Sequence, residues 1–202
     1  MSKETTNKML QLSMQQLLRE KRFSSISVDD ICRRAGISRK TFYRYYSDKY
    51  ELLKTVYVDC YFSHIEITED DCFWDVFRKI CVQIASDRPF FRHALEVKGQ
   101  NGFWDEAKKI LIPLHMKEAP SYEFLNEIKL FFVVSDLDRL FYLIDKWLNS
   151  NSEQSAEDFA EYIRVSYYIY GLWHSQLASG EERSAFSPEV YANFKEYLES
   201  HK

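Results

Sequence analysis

The stretch GISRKTFYRYYSDKYELL, Gly36 to Leu53, places four basic residues and four tyrosines around two hydroxyl residues, Ser38 and Ser47, each just ahead of a helical pattern. The 202-residue chain around it is acidic, with a formal net charge of −4. The two signs are segregated. Residues 1–55 hold twelve Lys/Arg against six Asp/Glu, a net of +6, and the remainder holds fifteen against twenty-five, a net of −10. A basic head on an acidic body points to a polyanion met by the head alone.

Working outward, Gly36 breaks the chain between two helical patterns and is free to take a left-handed backbone. Upstream, Ser27-Val28-Asp29-Asp30 sets a hydroxyl at an N-cap and an acid three residues on, a variant of the capping box. Val28, Ile31 and Cys32 then share one face, and Arg33 and Arg34 close the last turn. A first helix is expected over Thr5–Lys21, with Met9, Leu10, Leu12, Leu17 and Leu18 as its apolar stripe. Downstream, Ser38 starts a short helix from Arg39 to Tyr45 or Tyr46. Ser47-Asp48 starts a longer one that runs to about Ile65. Two helices joined through Gly over three or four residues form a helix-turn-helix pattern.

At about 100° per residue, Phe42 and Tyr46 fall on the inner side of the short helix, with Ile37 ahead of them. Arg39, Lys40, Tyr43 and Arg44 share the outer side. That is the layout of a recognition helix in a major groove. Arg and Lys read guanine edges there, Thr touches a thymine methyl, and Tyr and Lys hold phosphate oxygens. The helix starts at Ser27 and Ser47-Asp48 also aim backbone N–H groups at phosphates.

The run ISVDDICRRAGISRKTFYRYYSDKYELL resembles the N-terminal domain of the TetR family of bacterial transcriptional regulators, over residues 5–55. The resemblance implies that Arg39, Lys40, Thr41 and Arg44 face base edges. It implies that Tyr43, Tyr45 and Lys49 grip phosphate, with Ser27 and Ser38 assisting. It also implies a core of Phe42, Tyr46, Ile31 and Ala35. Two positions depart from the family: Tyr46, where Phe is commoner and whose hydroxyl needs a partner, and Lys40, where a small residue is commoner.

The rest reads as helix throughout. Five glycines and four prolines are few against the roughly 12% of an average chain, so the turns a sheet needs are scarce. Helices are expected near Asp71–Ser86, Pro89–Val97, Phe103–His115, Tyr122–Leu148, Ser155–Ala178 and Pro188–Ser200. The fold class is all-α: a three-helix helix-turn-helix domain over 1–48 and a helical domain for effector binding and dimerisation over 49–202.

The resemblance implies that this second domain binds an effector and forms a homodimer on double-stranded DNA. Apolar stripes at Phe124, Ile128, Phe131, Leu137, Phe141, Ile144 and Leu148, and at Phe159, Ile163, Tyr167, Tyr170 and Trp173, either meet their copies across a dimer or fill the core of one protomer. Tyr61, Phe77, Phe90, Phe91, Trp104, Leu111, Phe132 and Trp173 are candidates to line a ligand pocket, or are plain core. The run WLNSNSEQSAEDFAEYI resembles the TetR-like regulators of the dihydroxyacetone kinase type, which work through a protein co-activator. The effector is accordingly a small molecule or a partner protein.

No enzyme motif is present: no HExxH, no phosphate-binding glycine loop and no Ser/His/Asp order. No cofactor and no metal are expected. Cys60 and His64 sit four apart, but no second pair stands at ligand spacing. The N-terminus carries no signal-like apolar run, and the longest apolar stretch, Leu130–Val134, is far below a membrane span of roughly 18 residues. A cytoplasmic location with reduced cysteines is expected. Repression is the default for the family. Activation through a co-activator, or a helical module that binds no DNA, are the alternatives.

Overall fold

The computed structural model describes residues 3–99, 102–118, 126–150 and 152–179, with 126–128 and 172–179 described by backbone alone. Every regular element among them is helical. Residues 1–160 make one compact unit and residues 161–202 a second. The expected Pro188–Ser200 helix, with Phe124 and the side chains of Ile128 and Trp173, lies outside the described residues.

Helix α1 (Lys3–Glu20) buries Thr6, Leu10, Ser13, Met14, Leu17 and Leu18. Its stripe therefore runs through 6, 10, 13, 14 and 17. The expected Leu12 points outward, half exposed. Helix α2 (Val28–Ala35) starts at Ser27 as expected. The Ser27 hydroxyl accepts from Asp30 N at 3.1 Å, and the Asp30 carboxylate accepts from Ser27 N at 3.0 Å, so two orphan donors are satisfied reciprocally. Gly36 follows at φ +65°. An added Cβ there would meet nothing within 4 Å, so the left-handed backbone, not crowding, is what favours glycine.

Helix α3 (Arg39–Phe42) is shorter than the expected Arg39–Tyr46. Its end tightens into bonds from Arg44 N to Thr41 O (3.2 Å) and Tyr45 N to Phe42 O (2.9 Å), a common way to finish a helix. Helix α4 (Lys49–Cys60) takes Asp48 as its cap, and the carboxylate accepts from Tyr50 N and Glu51 N. Ser47 is bound instead by Glu51, which accepts from both its N–H and its hydroxyl. After Cys60 the chain tightens into a 3-10 turn, Phe62–His64, and does not continue as α-helix to Ile65.

Helices α5 (Phe73–Ser86), α6 (Arg88–Ala94), α7 (Phe103–Glu118), α8 (Asn126–Asn149) and α9 (Ala156–Ser179) follow. Ser155 caps α9, its hydroxyl accepting from Asp158 N at 3.0 Å. Helix α7 carries Pro113 inside it, forgoing one ladder bond, and runs three residues past the expected end at His115, to Glu118. The packing of α4, α5 and α8 around α7 holds the helix through that point.

Helix α1 packs on α2, α4 and α6 alike. The head is thus not set apart from the body by a gap after residue 48. Three side-chain links cross the same seam. Arg19 binds both oxygens of Asp87, which also accepts from the Tyr61 hydroxyl at 2.8 Å. His93 Nδ1 meets Leu18 O at 2.7 Å, and Arg22 pairs with Glu96 at 3.4 Å.

Candidate nucleic-acid interface

The short third helix is held by one ring. Phe42 is fully buried, with Tyr43 and Tyr46 rings 5.3 and 6.0 Å from it. Complete burial of a phenylalanine is worth roughly 1.5–3 kcal/mol, a strong anchor for four helical residues. Tyr46, the departure from the family's usual Phe, is 6% exposed, and its hydroxyl donates to Asn7 Oδ1 on α1. Burial pushes this phenol up to about 12, so it stays a neutral donor.

With the inner side fixed, Ser38, Arg39, Lys40, Tyr43 and Arg44 are exposed, and Thr41 and Tyr45 are half-buried. The structure therefore brings eight of the nine expected contact residues, including exposed Ser27, to the outer surface of the head. Arg39 lies 3.3 Å from Asp29 on α2 and over the Tyr43 ring at 5.9 Å. The Ser38 hydroxyl accepts from Thr41 N (3.1 Å) and shares a bond with the Thr41 hydroxyl (2.9 Å). Both hydroxyls thus shape the start of α3. A cleft of about 610 Å3 opens beside them, lined by Lys3, Thr6, Gly36, Ile37, Ser38, Thr41, Arg44 and Tyr45. Lys3 and Thr6 were not expected there. Nothing in their spacing shows that the start of α1 returns to the recognition helix.

Lys49 is placed differently from expectation. Its ammonium donates to Phe23 O at 2.9 Å and Ile26 O at 2.7 Å, and lies 4.4 Å from the centre of the Phe23 ring. It faces the interior of the head, and burial lowers its pKa. Two of its three donors are committed to carbonyls, so the expected phosphate grip does not match this geometry.

In the body most of the expected pocket residues are core. Phe77, Phe90, Phe91 and Leu111 are fully buried and Tyr61 is 4% exposed. Tyr61, Phe90 and Phe91 belong to an aromatic cluster in which Tyr61 stacks on Phe90 at 4.7 Å, Phe62 stacks on Phe103 at 4.8 Å, and Tyr57 donates to Ala94 O, while Phe77 stacks on Phe73 at 6.2 Å. Phe132 faces away from that cluster, 62% exposed. Among the described ones, Trp104 keeps a place in a cleft. It stacks on Phe141 at 4.1 Å in the wall of an open cleft of about 730 Å3, with Arg22, Glu96, Lys98, Asp105, Lys108, Asp138, Tyr142 and Asp145 around it. Lys108 and Asp138 pair across it at 2.7 Å.

Some of the apolar stripe residues on α8 and α9 fill the protomer core. Phe141 and Ile144 are buried within the protomer, and Phe159 stacks on Trp147 at 4.7 Å. Among its described residues α8 exposes the large apolar groups of Leu130, Phe131, Phe132 and Tyr142. On α9, Ile163 and Tyr167 are half-buried, and Tyr168 and Tyr170 are exposed. Among the described residues there is no cluster of potential metal ligands, and no helix is long and apolar enough to cross a membrane.

A capped helix, a left-handed glycine and a short helix pinned by one ring with its basic side outward define a helix-turn-helix domain. Residues 15–56 match the family described as bacterial regulatory proteins, tetR family. The backbone is similar to a TetR transcriptional regulator from Streptococcus agalactiae 2603V, with a TM-score of 0.63 and 22% identity over 79% of this chain and 91% of that one. It is also similar to the dihydroxyacetone kinase operon activator DhaS, with a TM-score of 0.51 and 16% identity over 82% of this chain and 95% of that one. No curated protein sequence matches this chain significantly. The chain carries a TetR-family N-terminal domain, and its fold is that of the TetR-family regulators.

Proposed function

We propose that this protein is a sequence-specific DNA-binding transcriptional regulator that reads an inverted-repeat operator as a homodimer in the cytoplasm. The observation that carries the reading is the outer side of α3: Arg39, Lys40, Tyr43 and Arg44 exposed together above a fully buried Phe42. In a major groove Arg39, Lys40, Thr41 and Arg44 face base edges. Tyr43 and Tyr45 flank them at phosphate level, and Ser27 and Ser38 hold the helix starts in register. Residues 1–48 act as the reading domain. Residues 49–202 bind an effector and dimerise, the latter through the exposed apolar groups of α8. Repression by occupying a promoter is the default mode.

A second reading concerns the effector. The interior of the body is filled by its own rings, Tyr57, Phe73, Phe77, Phe90, Phe91 and Phe103, each under 2% exposed. That packing favours an effector that meets the surface, such as a partner protein, over a small molecule enclosed in the body. A protein named as an operon activator shares this fold, which agrees with activation as the alternative to repression.

The test is selection of random duplex DNA on the purified protein at near-physiological salt. Recovery of one inverted repeat supports the reading. Binding that is salt-sensitive and equal on all sequences counts against a reading head in this form and leaves a helical interaction module as the better account.

A further inference from the structure

Lysine at the first turn of a helix opposes the helix dipole, so Lys49 at the start of α4 needs a reason. Its surroundings supply one. The ammonium donates to the carbonyls of Phe23 and Ile26, at 2.9 and 2.7 Å, and lies 4.4 Å from the centre of the Phe23 ring. The same ring meets Tyr50, the next residue of α4, edge-on at 4.9 Å. Phe23 and Ile26 are 4% and 1% exposed. Both belong to the tight turn that leads directly into Ser27, the cap of α2.

We propose that Lys49 is a positioning residue, a clamp that fixes the start of α4 to the start of α2 and thereby sets the spacing of the two helix starts flanking the recognition helix. The inference rests on the reading of the head as a DNA-binding domain. It assigns the lysine to the protein's own carbonyls in place of phosphate. It also gives the body a second handle on the head. Any shift of α4 pulls the turn at residues 23–26 and, through Ser27, moves α2 relative to α3. A phosphate-gripping lysine would report on DNA alone, whereas this one links DNA reading to the position of α4.

The experiment compares wild type, Lys49→Met and the milder Lys49→Gln. Affinity for the selected duplex is measured across a salt series, and amide hydrogen exchange is measured on the free proteins. A charged hydrogen-bonded clamp predicts a roughly tenfold loss of affinity in Lys49→Met. The slope of log affinity against log salt should stay at the wild-type value. Exchange should rise across residues 23–31 while α5 to α7 stay as protected as in wild type, and Lys49→Gln should fall between the two. A slope flatter by about 0.9 would mean that a phosphate contact was lost and would overturn the proposal, as would unchanged exchange at residues 23–31. If wild type itself prefers no duplex, the regulator reading fails by that result alone. The exchange arm still decides whether the clamp exists.

Discussion

The head and the body use the same residue types in opposite directions. In the head Tyr43 turns outward at 50% exposure, while Phe42 and Tyr46 hold α3 from inside. In the body the rings turn on one another, and five phenylalanines from Phe73 to Phe103 are fully buried. An aromatic side chain thus serves either as a rigid polar-tipped arm or as core filling. The choice follows from whether the helix has one apolar side or several. Helix α3 has a single inner side; the body helices meet neighbours on several sides.

The sharpest way to break this comparison is to remove one ring from each region. Phe42→Ala and Phe91→Ala should each lower stability by about 3–5 kcal/mol in urea unfolding, because each leaves a cavity in packed surroundings. At a temperature where both variants remain folded, only Phe42→Ala should lose duplex binding, since α3 has no other fully buried ring. Equal loss of binding in both would show that the reading surface depends on the whole body and not on its local anchor.

Two phenylalanines on α8 test the same contrast between outward and inward rings. Phe141→Asp buries a carboxylate against Trp104 and should destabilise the fold by more than about 3 kcal/mol. Phe131→Asp, on an exposed position, should keep the helical circular dichroism of wild type and elute as a monomer by light scattering. A dimeric Phe131→Asp would remove this face of α8 from the interface.

A smaller effect sharpens the reading of the head. Arg44→Ala removes an exposed guanidinium beside the cleft at α3, so the unfolding midpoint should hardly move. Its selected motif should lose preference at one position of each half-site, by about 1–3 kcal/mol of discrimination. An unaltered motif would take Arg44 out of the base-reading set.

What was legible in the sequence was whatever a few neighbouring residues decide between themselves. The Ser27 and Asp30 box, the left-handed Gly36, the Ser38 cap and the inward turn of Phe42 each depend on contacts within a handful of positions, so spacing alone reveals them. Lys49 shows the opposite case. Its carbonyl partners stand 26 and 23 residues earlier, and its place in the motif is equally compatible with facing out. The body rings failed for a different reason. Phe77, Phe90 and Phe91 lie on helices with apolar residues on more than one side, so periodicity names no face, and core could not be told from pocket. Pro113 costs α7 a ladder bond, and packing on three other helices carries the helix past it to Glu118. The head was legible because its proposed reading surface sits on the same residues as its local structure. The apolar stripe of α8 was only half legible, because Phe131, exposed, and Phe141, buried, differ only in which neighbours the fold brings to them.

The seam between head and body offers the smallest effect and the most direct probe of their coupling. Burial raises the carboxyl of Asp87, but the bonds from Arg19 and Tyr61 outweigh it, and the net pKa lies below the ordinary value of 3.8. A carboxylate with a depressed folded pKa contributes stability that is fully present above its unfolded pKa and is lost as pH falls through the folded one, because the unfolded chain then binds more protons. Wild type should therefore lose this contribution as pH falls below about 4, and Asp87→Asn should show a flatter acid limb in unfolding midpoint against pH. Arg19 is largely accessible, so solvent screening keeps the difference modest. The same substitution loosens α1 from the start of α6 and from Tyr61 just beyond α4. If the head is set by the body through this seam, Asp87→Asn should also shift duplex affinity at neutral pH, where Asp87 is charged in wild type. An altered acid limb with unchanged affinity would mean that the seam stabilises the fold without positioning the head, leaving α4 and its lysine clamp as the route between the two regions.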